Sequence, residues 1–251
     1  MPQPYTARSF TDQTKCYEHL DVAGGAIVSG SFQLFDQGYL VDAIEQLGNG
    51  FVGVTQLPLD EPVNEALVRK LSEQGVRAIR YNITRGVAAN TAAILSQSAQ
   101  CHALSQWHSE FYIDTTLLAD RAYFEALSEL PVVSIDHVGF SANGLDAMLQ
   151  LLRCRARAGL PSYVKATGFG RYLGTPEELK SALIALLREF PEALCWGSDL
   201  PSTRARVPFD EASSVELICD CVGQVFGDAG EQRERILHGI FWGNSERLYR
   251  I

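Results

Sequence analysis

Short apolar runs alternate with longer amphipathic stretches along the whole chain. The runs are Gly24 to Ser31 (GGAIVSGS), Phe51 to Leu57 (FVGVTQL), Val76 to Asn82 (VRAIRYN) and Ser109 to Asp114 (SEFYID). They continue with Pro131 to Gly139 (PVVSIDHVG), Ser162 to Gly168 (SYVKATG) and Leu194 to Pro201 (LCWGSDLP). Each has the length of a buried strand and is rich in Val, Ile and aromatic residues. Between them lie segments of helical periodicity. NEALVRKLSEQG places Leu67, Val68 and Leu71 on one face and stops at Gly75. TPEELKSALIALLREFP opens with Thr175 as N-cap, Pro176 at the first helical position and Glu178 three residues after the cap, and it closes at Pro191.

Regular strand–helix alternation predicts a parallel sheet with right-handed crossovers. Seven strands are legible, a number that an open doubly wound sheet would also accommodate. No GxGxxG follows the first run, so the dinucleotide fingerprint of such a sheet is absent. Polar and charged residues instead end several runs, namely Arg80, Asn82, Tyr112, His137 and Asp199. A barrel gathers such strand tips into one mouth. The expected fold is therefore α/β, a TIM (β/α)8-type barrel from which the first strand is missing. With no linker or compositional break, residues 1–251 read as one domain.

Composition sharpens this picture. The 251 residues suit one barrel, and 46% hydrophobic against 20% charged residues sustain a large core. A formal net charge of -9 repels phosphate backbones and anionic membranes. Nucleic-acid and membrane partners are thereby disfavoured, although a pocket can still concentrate arginines. The six cysteines, Cys16, Cys101, Cys154, Cys195, Cys219 and Cys221, include no CxxC pair and read as reduced thiols of a cytoplasmic protein. No apolar run reaches the roughly 20 residues of a membrane helix, and MPQPYTARSF lacks the features of a signal peptide.

Several residues could carry chemistry. Asp199 at the end of the last run is either a general base or metal ligand in a barrel mouth, or the cap of the following turn. His137 is a pocket imidazole or a core histidine satisfied by a carbonyl; Asp136 beside it is expected to face the other way, because side chains alternate along a strand. Arg80 sits among residues expected to be buried and must meet a carboxylate of protein or substrate. Arg77 is expected on the opposite side of that strand, bridging to the helices. With Arg85 and Arg171, Arg80 would form a rim for a substrate with more than one carboxylate, bound by bidentate pairing; singly, each is a surface charge. Lys165 could face either layer, Glu110 receives no role, and His102 and His108 are expected at the surface.

Taken in order, GVRAIRYN, WHSEFYID, LPVVSIDHVG, YVKATG, LCWGSDLP and ILHGIFWGNSERLYRI resemble successive landmarks of the amidohydrolase superfamily. More narrowly they are similar to the branch containing 2-pyrone-4,6-dicarboxylate lactonase and related sugar and muconolactone lactonases. PYTARSFT and GGAIVSGSFQLFDQGYLVDAI extend the resemblance over essentially the whole chain. It implies lactone hydrolysis in which Asp199 activates water, His137 polarises the carbonyl or holds the substrate, and Arg80, Arg85, Tyr112 and Arg171 bind a small carboxylated molecule.

The chain departs from that pattern in three places. The family's first strand carries an HxH pair and none occurs here; PYTARSFT looks like sequence that follows that strand, so either the pair lies upstream of Met1, through a misplaced or trimmed start, or the protein lacks that strand. Ser202 stands where many relatives have His, and Phe140 where the lactonase has Arg. With only His137 and Asp199 as ligands, a catalytic zinc site is one or more short of its usual three, so a metal-free site is expected. The alternatives are a hydrolase or decarboxylase using a divalent metal such as zinc, and an inactive barrel acting as a binding module. A missing strand would leave a sheet edge open, which is compatible with a homo-oligomer.

Overall fold

A computed structural model of the chain describes residues 22–86, 90–200, 205–207 and 209–251. PYTARSFT, Cys16 and Ser202 lie outside the described residues. The described residues form seven strands: β1 (Gly25–Val28), β2 (Phe51–Thr55), β3 (Val76–Tyr81), β4 (His108–Phe111), β5 (Val133–Ile135), β6 (Ser162–Ala166) and β7 (Leu194–Trp196). They form one curled sheet in chain order with every pair parallel, an α/β barrel of the TIM type with seven strands. The returning helices are α1 (Gly38–Leu47), α2 (Glu65–Glu73), α3 (Thr91–Ser105), α4 (Arg121–Glu129), α5 (Leu145–Arg157) and α6 (Pro176–Glu189). Three more, α7 (Glu211–Phe226), α8 (Glu231–His238) and α9 (Asn244–Tyr249), close the described chain. None of the described helices is long and apolar enough to cross a membrane.

Local chemistry fixes the helix starts. The Asn64 side chain accepts from the Leu67 amide at 3.0 Å. At α6 the Thr175 hydroxyl accepts from the Glu178 amide at 3.2 Å while the Glu178 carboxylate accepts from the Thr175 amide at 2.7 Å. This is the capping box the sequence predicts, satisfying two otherwise orphaned N–H groups.

The strands alternate between two cores. Ile79, Tyr81, Phe111, Ile135, Val164 and Leu194 face outward into the large layer between sheet and helices. Val52, Val54, Ala78 and Cys195 face inward, where they meet Leu248 and Tyr249 of α9. The end of the chain thus fills the barrel interior. Each such apolar side chain removed from water contributes about 1.5–3 kcal/mol.

Several strands are shorter than their apolar runs. β5 ends at Ile135 and β7 at Trp196, so the last residues of both runs are loop. Because all strands are parallel, these loops lie at one end of the barrel, and they carry His137 and Asp199.

Candidate active site

Below the mouth, the inward positions of β4, β5 and β6 build a closed ionic network. Glu110 is fully buried. One of its carboxylate oxygens accepts from the Tyr249 hydroxyl at 2.6 Å and lies 3.1 Å from His108 Nε2, and the other accepts from Lys165 Nζ. Lys165 also pairs with Asp136 Oδ1 at 3.1 Å. Asp136 Oδ2 accepts from Arg80 Nη2 at 2.6 Å and from Arg80 Nε at 3.1 Å, while Arg80 Nη1 donates to the Ser29 carbonyl at 2.9 Å. Burial alone would raise the carboxyls, but Lys165 and His108 outweigh it at Glu110 and hold it at about 2. Lys165 and Arg80 likewise hold Asp136 well below the usual carboxylate range. Burial pushes the His108 imidazole down, so it is neutral at neutral pH.

Two expectations fail in this network. His108 is buried rather than at the surface; counting back by two from Tyr112 places Glu110 and His108 on the same inward face. His102 is half-buried on α3, with Nδ1 3.2 Å from the Trp107 carbonyl. Asp136 faces inward, because it keeps the alternation of Ser134 and Ile135; His137 is the residue that departs, with a left-handed φ of 53°. Arg77 does bridge to the helix layer, donating to the Ser72 carbonyl on α2 at 2.8 Å.

Above the network lies the mouth. Asp199 Oδ2 lies 2.5 Å from Arg171 Nε, and Asp199 Oδ1 lies 3.8 Å from His137 Nε2. His137 Nδ1 is 2.8 Å from the Thr167 hydroxyl, and its Nε2 has no hydrogen-bond partner among the described residues. Burial lowers the His137 pKa, so the ring is neutral at neutral pH. Tyr112 stands edge-on to His137, with ring centroids 5.5 Å apart. The Arg80 and Arg85 guanidiniums lie over the Tyr112 ring at 4.9 Å and 5.3 Å, and Arg85 Nη2 donates to the Tyr112 hydroxyl at 3.4 Å. Phe140 packs edge-on against both Tyr112 and His137. The structure therefore brings Asp199, His137, Arg80, Arg85, Tyr112 and Arg171 to one place. Arg80, however, is largely occupied by Asp136 and Ser29.

The backbone around the site is strained. His137, Val138, Phe140 and Asp199 all have φ between 53° and 68°, a region that costs residues with side chains of order 1–3 kcal/mol each. Gly168 shows why the loops fit. At its φ of 58°, an added Cβ would lie 2.5 Å from His137 Nδ1 and 2.9 Å from Asp199 Oδ2. A cavity of about 20 Å³ lies beside Asp199, lined by Thr167, Arg171, Ser198, Asp210, Glu211 and Ser214 among others. That volume holds about one water molecule.

Sequence reasoning missed Glu110, Asp136, Lys165 and Thr167 as members of this constellation. Period-two counting from Tyr112 and Thr167 was the available signal. No group of three or more His, Cys, Asp or Glu side chains among the described residues is placed to hold a metal ion. His137 and Asp199 alone are too few for a tight catalytic zinc, and the second is already engaged by a guanidinium.

Comparison with known proteins agrees with this architecture. Solved structures similar to this chain include one from Acinetobacter baumannii that bears the name of a 2-pyrone-4,6-dicarboxylic acid hydrolase and holds citric acid. It is 22% identical, aligns with 100% of this chain and 92% of its own, and has a TM-score of 0.77. A Pseudomonas putida protein bearing the same activity name is 24% identical over 96% of this chain and 86% of its own, with a TM-score of 0.70. An amidohydrolase from Burkholderia multivorans with bound zinc is 14% identical over 99% of this chain and 89% of its own, at 0.71. At these identities the likeness is one of fold. The family model described as amidohydrolase matches residues 2–251, and the chain belongs to that family of hydrolases.

Proposed function

We propose that the protein hydrolyses a lactone of a small carboxylated molecule, with Asp199 as the general base. One observation carries the reading. Asp199 is held between Arg171 at 2.5 Å and the neutral His137 at 3.8 Å, at the mouth of an amidohydrolase-family barrel. That two relatives bear the name of a pyrone hydrolase supports a cyclic ester, since a pyrone is a lactone.

In this reading Asp199 takes a proton from water as the water oxygen bonds to the lactone carbonyl carbon. The negative charge that develops on the carbonyl oxygen is met by the Arg171 guanidinium and by His137 Nε2–H. In the tautomer where the Thr167 hydroxyl donates to Nδ1, the ring proton resides on Nε2, on the side of Asp199. Collapse of the intermediate breaks the bond to the ring oxygen, and the proton held by Asp199 passes to that oxygen. The product is the open-chain hydroxy acid. Arg85 and the Tyr112 hydroxyl hold the substrate carboxylate, while Arg80 lies over the Tyr112 ring at 4.9 Å.

The proposed chemistry needs no metal. It is tested by removing metals with a chelator, verifying their absence by elemental analysis, and titrating the acid released from a carboxylated γ-lactone. Hydrolysis that persists is the expected result. Loss of hydrolysis on chelation with return on adding zinc would replace this reading by a metal-dependent one, and no hydrolysis under either condition would reject lactones as substrates.

A further inference from the structure

The turn that carries His137 winds left-handed, against the preference of L-residues. His137, Val138, Gly139 and Phe140 follow one another with φ of 53°, 53°, 72° and 68°. Two bonds close it, from the Gly139 amide to the Asp136 carbonyl at 3.0 Å and from the Phe140 amide to the His137 carbonyl at 2.9 Å. Val138 is β-branched, the class least tolerant of such backbone. Strain of this kind persists only where the surroundings impose it.

Three contacts impose it here. Val138 is buried in the outer core, and the Gly139 carbonyl accepts from the Thr115 hydroxyl at 3.0 Å. A Cβ at 139 would lie 2.6 Å from Thr115 Oγ1 and 3.0 Å from Met148 Sδ, so glycine is required there. The Phe140 carbonyl accepts from the Leu173 amide at 2.6 Å. The turn is thereby tied to the segment after β6 that carries Thr167 and Arg171.

With three residues to the turn, whichever its hand, side chains i and i+3 eclipse. The winding therefore sets the Phe140 ring against the His137 ring, with centroids 5.0 Å apart and planes at 90°. Phe140 also meets Tyr112 at 4.5 Å and 70°, and Tyr112 meets His137 at 5.5 Å and 89°. Aromatic rings favour such edge-to-face pairs. The contact of Nδ1 with Thr167 fixes one atom of the imidazole; two rings edge-on fix its plane.

We propose that Phe140 is a positioning residue that locks His137 in one ring orientation and one tautomer, with Nδ1 on Thr167 and Nε2–H on the side of Asp199. Its effect on rate rests on the lactone-hydrolase reading, while the locking itself is a property of the ligand-free protein. Phe140 acts through His137 and not on the substrate. Without it the imidazole can turn over, which carries Nδ1 away from Thr167 and Nε2 away from the carbonyl oxygen it is to meet.

The test reads the ligand-free protein first, by nitrogen NMR of ring-labelled histidine. The His137 signals are identified by their loss in His137→Gln and are recorded above the range in which an imidazole takes a proton. The wild type is expected to show one tautomer, with the proton on Nε2. In Phe140→Ala the two nitrogen shifts should converge toward the mixed-tautomer average of free imidazole, and Phe140→Tyr, which keeps the ring, should return them. On a carboxylated γ-lactone, kcat of Phe140→Ala should fall by about tenfold to a hundredfold, the cost of a misplaced group, with KM within about twofold. A single tautomer in folded Phe140→Ala, a wild-type ring divided between both, or wild-type kcat beside a mixed one overturns the proposal. If the wild type opens no lactone, the hydrolase reading fails and the nitrogen shifts still decide the role of Phe140. Should Phe140→Ala not fold, Phe140→Leu, which fills the space without a ring edge, is held to the same two readouts.

Discussion

The barrel interior holds two sets of charged side chains, stacked one above the other and built on different terms. In the lower set, the buried Glu110, Lys165 and Asp136 and the largely buried Arg80 are mutually satisfied, with Tyr249 and His108 closing the remaining positions of Glu110. In the upper set, Asp199 and His137 sit on left-handed backbone, the buried His137 Nε2 has no hydrogen-bond partner among the described residues, and a cavity lies beside Asp199. Saturated charges on regular strands hold a shape; strained and partly satisfied ones at strand tips are placed to meet something else. Sign and proximity alone would not separate the two sets, since both contain acids and bases at similar distances.

The largest effect that breaks this contrast comes from the lower set. Lys165→Met leaves Glu110 and Asp136 buried without their shared cation and is expected to destabilise the fold by about 3–5 kcal/mol, measured by urea unfolding. A loss of rate with unchanged stability would move Lys165 into the catalytic set. A smaller, graded effect is expected with acid. The Glu110 pKa is depressed from 4.5 to about 2 in the folded protein, and Asp136 is depressed in the same direction. Their contribution is therefore fully present above about pH 4.5 and is lost as pH falls toward 2. The thermal midpoint should decline through that window, and a flat midpoint there would show that the lower network does not stabilise the fold.

The fold was legible because its signals are local. Apolar runs of strand length, the Thr175–Pro176–Glu178 start of α6 and the Asn64 start of α2 require only neighbouring residues to be read. Parallel order then followed from alternation, and polar strand tips distinguished a barrel mouth from a dinucleotide crevice. The site was legible in its tips and not in its depth. Asp199, His137, Arg80, Arg85, Tyr112 and Arg171 stand at the ends of runs, where polarity stands out against apolar surroundings. Glu110 lies inside a run, and His108 just before it, where facing depends on where alternation begins.

Asp136 and His137 show the harder limit. Adjacent residues on a regular strand face opposite ways, yet both reach the interior here because His137 turns to a φ of 53° immediately after Asp136. Nothing in IDHVG announces that turn. The pairing of Arg80 with Asp136, and hence the number of cations left for a substrate, depends on it. A count of arginines from sequence overstates the free positive charge wherever such a turn brings an extra carboxylate inside.

The contrast between the two sets rests most heavily on Asp199, and one variant tests it directly. Asp199→Asn, assayed for opening of a carboxylated γ-lactone and for urea unfolding on the same preparation, should stay folded, with a midpoint lowered by less than that of Lys165→Met. Its kcat should fall by about a hundredfold to ten-thousandfold, the range a general base supplies. Wild-type turnover in the folded variant would contradict the account, because no other carboxylate among the described residues stands beside both Arg171 and His137.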